Sequence, residues 1–474
     1  MRFLENDRVR PAIIATLGFF LMLWNLGIPS LWQDEAATIA ASNRSLPALF
    51  RLLGNIDAVH GTYYVFIHFW GQAFGLTPFA LRVPSAIAVA SSAYLLYRLA
   101  LRLELGGPTA AWASIIFLAL PRTHMAGSEA RSNAFTATLA IALTLTLVTA
   151  LQKGNRKSWL IYSLVGAVSI YMFMFSALIL VPFGIYVAIK KREQIRTFIL
   201  STGLSLTVSA PVFYFGYAER GQVGWISKKP IYEYLWESLI AVDYNRAWPM
   251  AILGLLLCLV AILRGTPSLL TLWATVPSAI LITISLVSTP YFVDHYLTFT
   301  TGATALLIAV GLEKILPVGR RSALVKSAVG LLIVVLSLPS FIQSREPIAK
   351  GTEWASIAAA IQQNSHAGDA ILLPDAVSKT SRALDLMMVA YAPEFAGRID
   401  LTLTDDGVIR GQIFGSRIRE SQVLEPQSHR VLVIRDTKGN STNASATPTW
   451  LTENFAETKT IRFDSALVAV FDRK

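Results

Sequence analysis

Two adjacent carboxylates, Asp34 and Glu35, stand in the stretch LWQDEAAT, directly behind the apolar run PAIIATLGFFLMLWNLGI at residues 11–28. A carboxylate can take the proton from an attacking hydroxyl, and such general-base help contributes ~10²–10⁴-fold to a rate. A second acid, Glu129, lies in PRTHMAGSEARSNAF with Arg131 two residues on. Arginine holds phosphate through its planar fork of donors. Asp57 and His60 in DAVHGTYY, and Asp294 and His295 in PYFVDHYLTF, add titratable groups at the ends of other apolar runs. A plainer reading exists for Asp34: QDEAATIAA is also the pattern of a helix capped by Asp, with Glu favouring the positive helix end.

The elements that must position these residues are membrane spans. The chain has 474 residues, 54% hydrophobic and only 15% charged, where soluble domains are about one quarter charged. A span needs about 20 mainly apolar residues. By that measure the sequence predicts about eleven, near 11–29, 81–101, 109–123, 132–151, 158–175, 176–190, 197–216, 248–263, 267–288, 296–313 and 324–341. The first exceeds a signal-peptide core and has no A-x-A site after it, so it is read as a retained span. The run TYYVFIHFWGQAFG at residues 62–75 is too short to cross and rich in Tyr, Trp and His, which suits a helix lying in the membrane interface. The lone Cys258 sits in an apolar stretch and leaves neither a disulfide nor a thiolate metal site.

Short loops rich in Lys and Arg face the cytoplasm. With a cytoplasmic N-terminus, the loops KGNRK and KKREQIR fall inside, and this parity requires that the aromatic segment not cross. Asp34, Glu35, Asp57, His60, Glu129, Arg131, Asp294 and His295 then all gather at the outer face. Ionisable residues near membrane depth are costly and mark substrate paths or catalytic sites. The net charge of +11 follows from these loops and gives no reason to expect nucleic acid as a partner.

From about residue 343 the composition turns polar. Strand-like runs DAILLPD, RVLVIRD and ALVAVFD alternate with helical patterns EWASIAAAIQQN and SRALDLMMVAYA. The expected organisation is a membrane domain over 1–342, with its first outer loop at 30–80, and an extracytoplasmic α/β domain over 343–474. NST and NAS, at Asn440 and Asn443, are glycosylation sequons that carry meaning only in a glycosylating host.

In order and spacing, LWQDEAAT, DAVHGTYYVFIHFWGQAFGLTPFALRVPSAIAVASSAYLLYRLALRL and GSEARSNAFTATLA resemble the membrane-embedded GT-C glycosyltransferases of the protein-mannosyltransferase and aminoarabinose-transferase type. The flavour is that of the actinobacterial, family 39-like members, and the likeness runs from about Arg10 to Gly311. It implies a polytopic helical protein of the plasma membrane that moves a sugar, mannose or an arabinose-like pentose, from a polyprenyl-phosphate donor. Decaprenyl phosphate is the carrier the analogy points to. The acceptor would be a glycan, lipid or protein on the outer face, and the role cell-wall building with inversion at the anomeric carbon. Asp34 matches the first acid of the family pair and would act as base. Glu35 would orient it. Glu129 would position hydroxyl groups and Arg131 the donor phosphate, while Asp57, His60, Tyr63, Arg82 and His295 would bind substrate. Two departures stand out: VHGTYY keeps the histidine but not the prolines that follow it in relatives, and His295 replaces a common arginine. Arg82 has a second reading, snorkelling to the interface.

Asp34, Glu35, Asp57, His60 and Asp294 include types that ligate Mg²⁺ or Mn²⁺, but no ligand spacing demands a metal, and this branch is expected to work without a cofactor. The rival function is a transporter or flippase for envelope precursors. A transporter should carry broken helices and charges near the midplane, often in two related halves. Neither is visible in the sequence.

Overall fold

The computed structural model describes residues 9–266, 268–317, 319–373, 379–437 and 448–474. Asn440 and Asn443 lie outside the described residues. The chain divides into two compact units, one of residues 1–26 and 82–345, the other of Gly27–Leu81 together with Glu346–Lys474. The first loop thus groups with the C-terminal segment and not with the spans.

The first unit is a bundle of apolar helices. Among the described residues, five are long and apolar enough to cross a bilayer: Pro78–Arg102, Asn133–Lys153, Ser268–Val287, Asp294–Lys314 and Arg320–Gln343. A sixth forms if Arg192–Val208 and Ala210–Ala218, bent by 52° at their junction, count as one. The chain is thus a multi-pass membrane protein. Every span expected from the sequence falls on a helix, yet several are short: Val9–Leu23, Gly107–Ala119, Met174–Lys190 and Trp248–Leu263. A helix of 13 residues such as Gly107–Ala119 rises about 20 Å, short of a hydrocarbon core about 30 Å thick. It ends because Leu120, ahead of Pro121, is extended (φ −62°, ψ 130°), the conformation that a following proline enforces.

Within the bundle, Ser and Thr hydroxyls join neighbouring helices through backbone carbonyls. Ser114 donates to Ala93 O (2.7 Å), Thr138 to Ala88 O (2.8 Å) and Ser163 to Ser201 O (2.8 Å). The helix Thr301–Lys314 is buried on every face from Thr301 to Leu312, as expected of a helix apolar all round at a bundle centre. Gly311 lets its backbone meet that of Leu257, where a methyl group would collide with the Leu257 carbonyl.

The second unit holds the first loop and the α/β segment. The loop folds as Gln33–Ser42, Leu46–Leu53, the short turn Ala58–His60 and Gly61–Phe74. The last is the aromatic segment, a 14-residue helix of about 21 Å. It buries Tyr63, Tyr64 and Ile67 and exposes Phe66, Phe69 and Phe74.

The C-terminal strands are β1 (Ala370–Leu372), β2 (Ile399–Asp400), β3 (Leu403–Asp405), β4 (Ser416–Arg417), β5 (Arg430–Asp436), β6 (Phe455–Arg462) and β7 (Ala466–Arg473). Five make one sheet in the order β2-β1-β5-β7-β6, with β1 parallel to β2 and β5 and β7 antiparallel to β5 and β6. Val431 and Val433 face one side with Ala469 and Phe471, while Leu432, Ile434, Val468 and Val470 are buried on the other. Both faces are covered, so these strands read as continuous apolar runs. β6 is the polar edge, mostly exposed.

Candidate active site

The loop acids occupy the first turn of Gln33–Ser42. The N-cap residue is Trp32, in extended conformation and without a side-chain cap bond, so Asp34 is not the cap that its sequence suggests. Both carboxylates instead stand within the first turn, where the helix dipole favours negative charge. Their exposure separates them: Glu35 is fully buried, whereas Asp34 is half-buried. A proton acceptor must be reachable by a hydroxyl, which fits Asp34 and not Glu35. The far end of the helix is fixed by His68 Nδ1, 2.9 Å from Ser42 O, and by Arg44 Nε, donating to Ala40 O at 2.9 Å. Burial lowers the Arg44 pKa, opposed by the charge of Asp406.

Asp57 adopts the left-handed conformation (φ 62°) that opens the Ala58–His60 turn, a region Asp tolerates better than most residues. Its Oδ2 accepts from Tyr64 Oη at 2.9 Å, and the His60 ring lies 6.0 Å from that of Tyr64. Asp57, His60 and Tyr64 therefore form one cluster. Tyr63 is buried beside it in the chain, 1% exposed. Tyr64 had no signal in the sequence beyond its aromatic neighbours.

In the helical unit, Glu129 and Arg131 sit between the helices Pro121–Gly127 and Asn133–Lys153. Glu129 is 7% exposed. Its Oε2 accepts from Asn133 Nδ2 (3.1 Å), and its backbone carbonyl accepts from Ser85 Oγ (2.6 Å). Arg131 is half-buried. Arg82 does not snorkel: it is fully buried and donates to Leu26 O at 3.0 Å. Arg345 is buried nearby in charge terms, with its pKa pushed down to about 10 by burial and then by Arg82, so it stays protonated at neutral pH. It donates to Trp24 O at 3.0 Å and Met22 O at 3.2 Å.

His295 stands one residue after Asp294, with Nδ1 3.3 Å from Asp294 Oδ1. Asp294 also accepts from Arg122 at 2.8 Å, and Arg122 is 3% exposed. Arg122 further donates to Val242 O (2.6 Å) and Ala241 O (2.9 Å). Next to these carbonyls Asp243, 8% exposed, accepts from Thr304 Oγ1 at 2.7 Å. Neither Arg122 nor Asp243 is among the candidates read from the sequence. A lone arginine after an apolar run was the available signal.

The candidate residues thus form two sets, Asp34, Glu35, Asp57, His60 and Tyr63 in one unit and Arg82, Glu129, Arg131 and His295 in the other. Among the described residues, no group of three or more His, Cys, Asp or Glu is placed to hold a metal ion.

Residues 62–215 match the family described as dolichyl-phosphate-mannose-protein mannosyltransferase. That segment contains Tyr63, Arg82, Glu129 and Arg131 and stops short of Asp34. No curated protein matches the chain. Among solved structures, the chain is similar to ArnT from Cupriavidus metallidurans bound to undecaprenyl phosphate, at 12% identity and a TM-score of 0.63 over 97% of each chain. It is also similar to the same protein in the apo state, at 13% identity and a TM-score of 0.59, again over 97% of each. The fold is similar to that of ArnT, with a sheet-containing C-terminal region.

Proposed function

We propose that this protein transfers a sugar, mannose or an arabinose-like pentose, from a polyprenyl-phosphate donor to a glycan, lipid or protein acceptor at the outer face of the plasma membrane. The N-terminus is cytoplasmic and the C-terminal segment extracytoplasmic. The carrying observation is the split between the two adjacent acids: Asp34 is half-buried at the positive start of a helix, and Glu35 is sealed beneath it.

Asp34 takes the proton from the acceptor hydroxyl as its oxygen attacks the anomeric carbon. The bond from that carbon to the donor's phosphate oxygen breaks with inversion, and polyprenyl phosphate leaves. This leaving group is a stabilised anion and needs no acid, so one base and cationic stabilisation suffice. Arg131 binds the donor phosphate. Glu129, held by Asn133, accepts hydroxyl groups of sugar or acceptor. His60 and Asp57, clustered on Tyr64, together with Tyr63, Arg82 and His295, complete the proposed substrate-binding set. The same chemistry predicts turnover without a metal cofactor. The presence of undecaprenyl phosphate in the ArnT structure supports a polyprenyl-phosphate donor, and the acid pair argues against a flippase, which has no use for a general base.

The test is transfer of radiolabelled sugar from decaprenyl-phosphate mannose and decaprenyl-phosphate arabinose into an acceptor fraction by the purified chain in lipid nanodiscs. Transfer from either donor, abolished in Asp34→Asn, is the expected result. Absence of transfer from both, with movement of intact donor across the bilayer, would overturn the reading in favour of a flippase.

A further inference from the structure

Asp34 lies in the first loop, yet the backbone that delivers it is held by residues more than 300 positions later. Ser30 N donates to Pro347 O at 2.8 Å. Leu31 N donates to the phenol oxygen of Tyr391 at 2.9 Å, and Leu31 O accepts from Thr352 Oγ1 at 2.9 Å. In return Ala355 N donates to Ser30 Oγ at 3.0 Å. Ser30 and Leu31 are both buried, and Tyr391 is 7% exposed.

The segment stops there because Trp32 (φ −124°, ψ 177°) turns directly into the helix carrying Asp34. Fixing the peptide groups of Ser30 and Leu31 therefore fixes where that helix begins and which way its first turn faces. Downstream, the same C-terminal segment grips the loop again. Arg44 donates to Gln412 O, Arg51 to Ile409 O at 3.2 Å and Asn55 to Arg410 O at 3.1 Å. Between these grips, the helix Lys379–Ala390 packs along Gln33–Ser42.

We infer that Tyr391 and Thr352 are positioning residues for the proton acceptor, so that the C-terminal α/β segment, besides covering its own sheet, sets the geometry of catalysis. This rests on the reading of Asp34 as base. Neither residue touches substrate on this account; both act through the Leu31 peptide. A misplacement of about 1 Å in a reacting group can cost about 10²-fold in rate, whereas binding of the donor does not depend on the base.

The experiment compares Tyr391→Phe, Thr352→Val, the double variant and Thr352→Ser, as full chains in nanodiscs. Each is assayed for sugar transfer from whichever of the two decaprenyl-phosphate donors the wild type uses. Amide hydrogen exchange of the peptide containing Leu31 and thermal unfolding are recorded alongside. The expected result is a kcat about tenfold lower in each single variant and about 100-fold lower in the double. Donor KM stays within twofold, exchange at Leu31 is faster, and Thr352→Ser, which keeps the hydroxyl, restores kcat. Wild-type kcat in the double variant, while Asp34→Asn is inactive, overturns the inference alone. A kcat loss that tracks the melting temperature and that Thr352→Ser does not restore also overturns it, in favour of a merely structural role. Full turnover in Asp34→Asn overturns the base reading itself.

Discussion

The two units solve the problem of buried polar groups differently. In the helical unit, most such groups among the described residues are small hydroxyls paired with backbone carbonyls of their own or a neighbouring helix, as Thr144 pairs with Ala140 O and Ser163 with Ser201 O. In the loop and sheet unit, long side chains span the fold: Arg417 joins Asp385 (2.6 Å) and Asp400 (2.7 Å) while only 4% exposed. A bilayer gives no water to offset a charge, so helices within it use groups that need one partner. Against that background, Glu129, Arg82 and the Arg122–Asp294 pair stand out as charges that something other than helix packing keeps in place. In the second unit buried charge is ordinary, and Asp34 is distinguished by being reachable.

This contrast can be broken at graded cost. The largest expected effect is Asp34→Asn, which should lower kcat by about 10³-fold with donor KM nearly unchanged, measured by initial rates of sugar transfer. Next, Arg122→Met should destabilise the helical unit by about 1–3 kcal/mol, because the half-buried Asp294 loses its cation and the Ala241 and Val242 carbonyls lose their donor. Thermal unfolding in detergent checks it, and the double change Arg122→Met with Asp294→Leu should recover much of the loss. Arg131→Gln should act on the other side of the reaction, raising donor KM about tenfold through a lost charge-assisted bond and lowering kcat less. Comparing its KM-to-kcat split with that of Asp34→Asn tests the division of labour directly. Gly311→Ala should cost about 1–3 kcal/mol through overpacking, since its methyl group meets the Leu257 carbonyl; a shift in melting temperature reads it. Smallest of all, EDTA should leave turnover within error, while a rate restored only by added Mg²⁺ or Mn²⁺ would revise the chemistry.

The apolar segments were legible because a span is a compositional fact, and DAILLPD, RVLVIRD and ALVAVFD became β1, β5 and β7 because both faces of those strands are buried. β6, FAETKTIR, escaped notice since an exposed edge strand keeps a polar face that resembles a loop. The breaks at Leu120 and Phe173 shortened helices that composition alone had made full spans. At the site, Asp34 and Glu35 could be named from their position after the first span, but which of the two is accessible depends on the helix being capped at Trp32, two residues before the Asp34 cap that the pattern suggested. Tyr391 and Thr352 were invisible for a different reason: each matters through a partner far along the chain, and no local pattern encodes it.

That long separation has a consequence for how the protein is made. The ribosome delivers the loop around Leu31 early, and the residues that grip it, from Pro347 to Gln412, only after the intervening spans have been synthesised. At about 5–20 residues per second the wait is about 15–75 s. During it the peptide groups of Ser30 and Leu31 must be satisfied by water or by transient partners, and the helix bearing Asp34 has no fixed start. A chain interrupted before Pro347 would enter the membrane without a fixed position for Asp34, so on the proposed reading competence arrives only once residues 347–412 have been made.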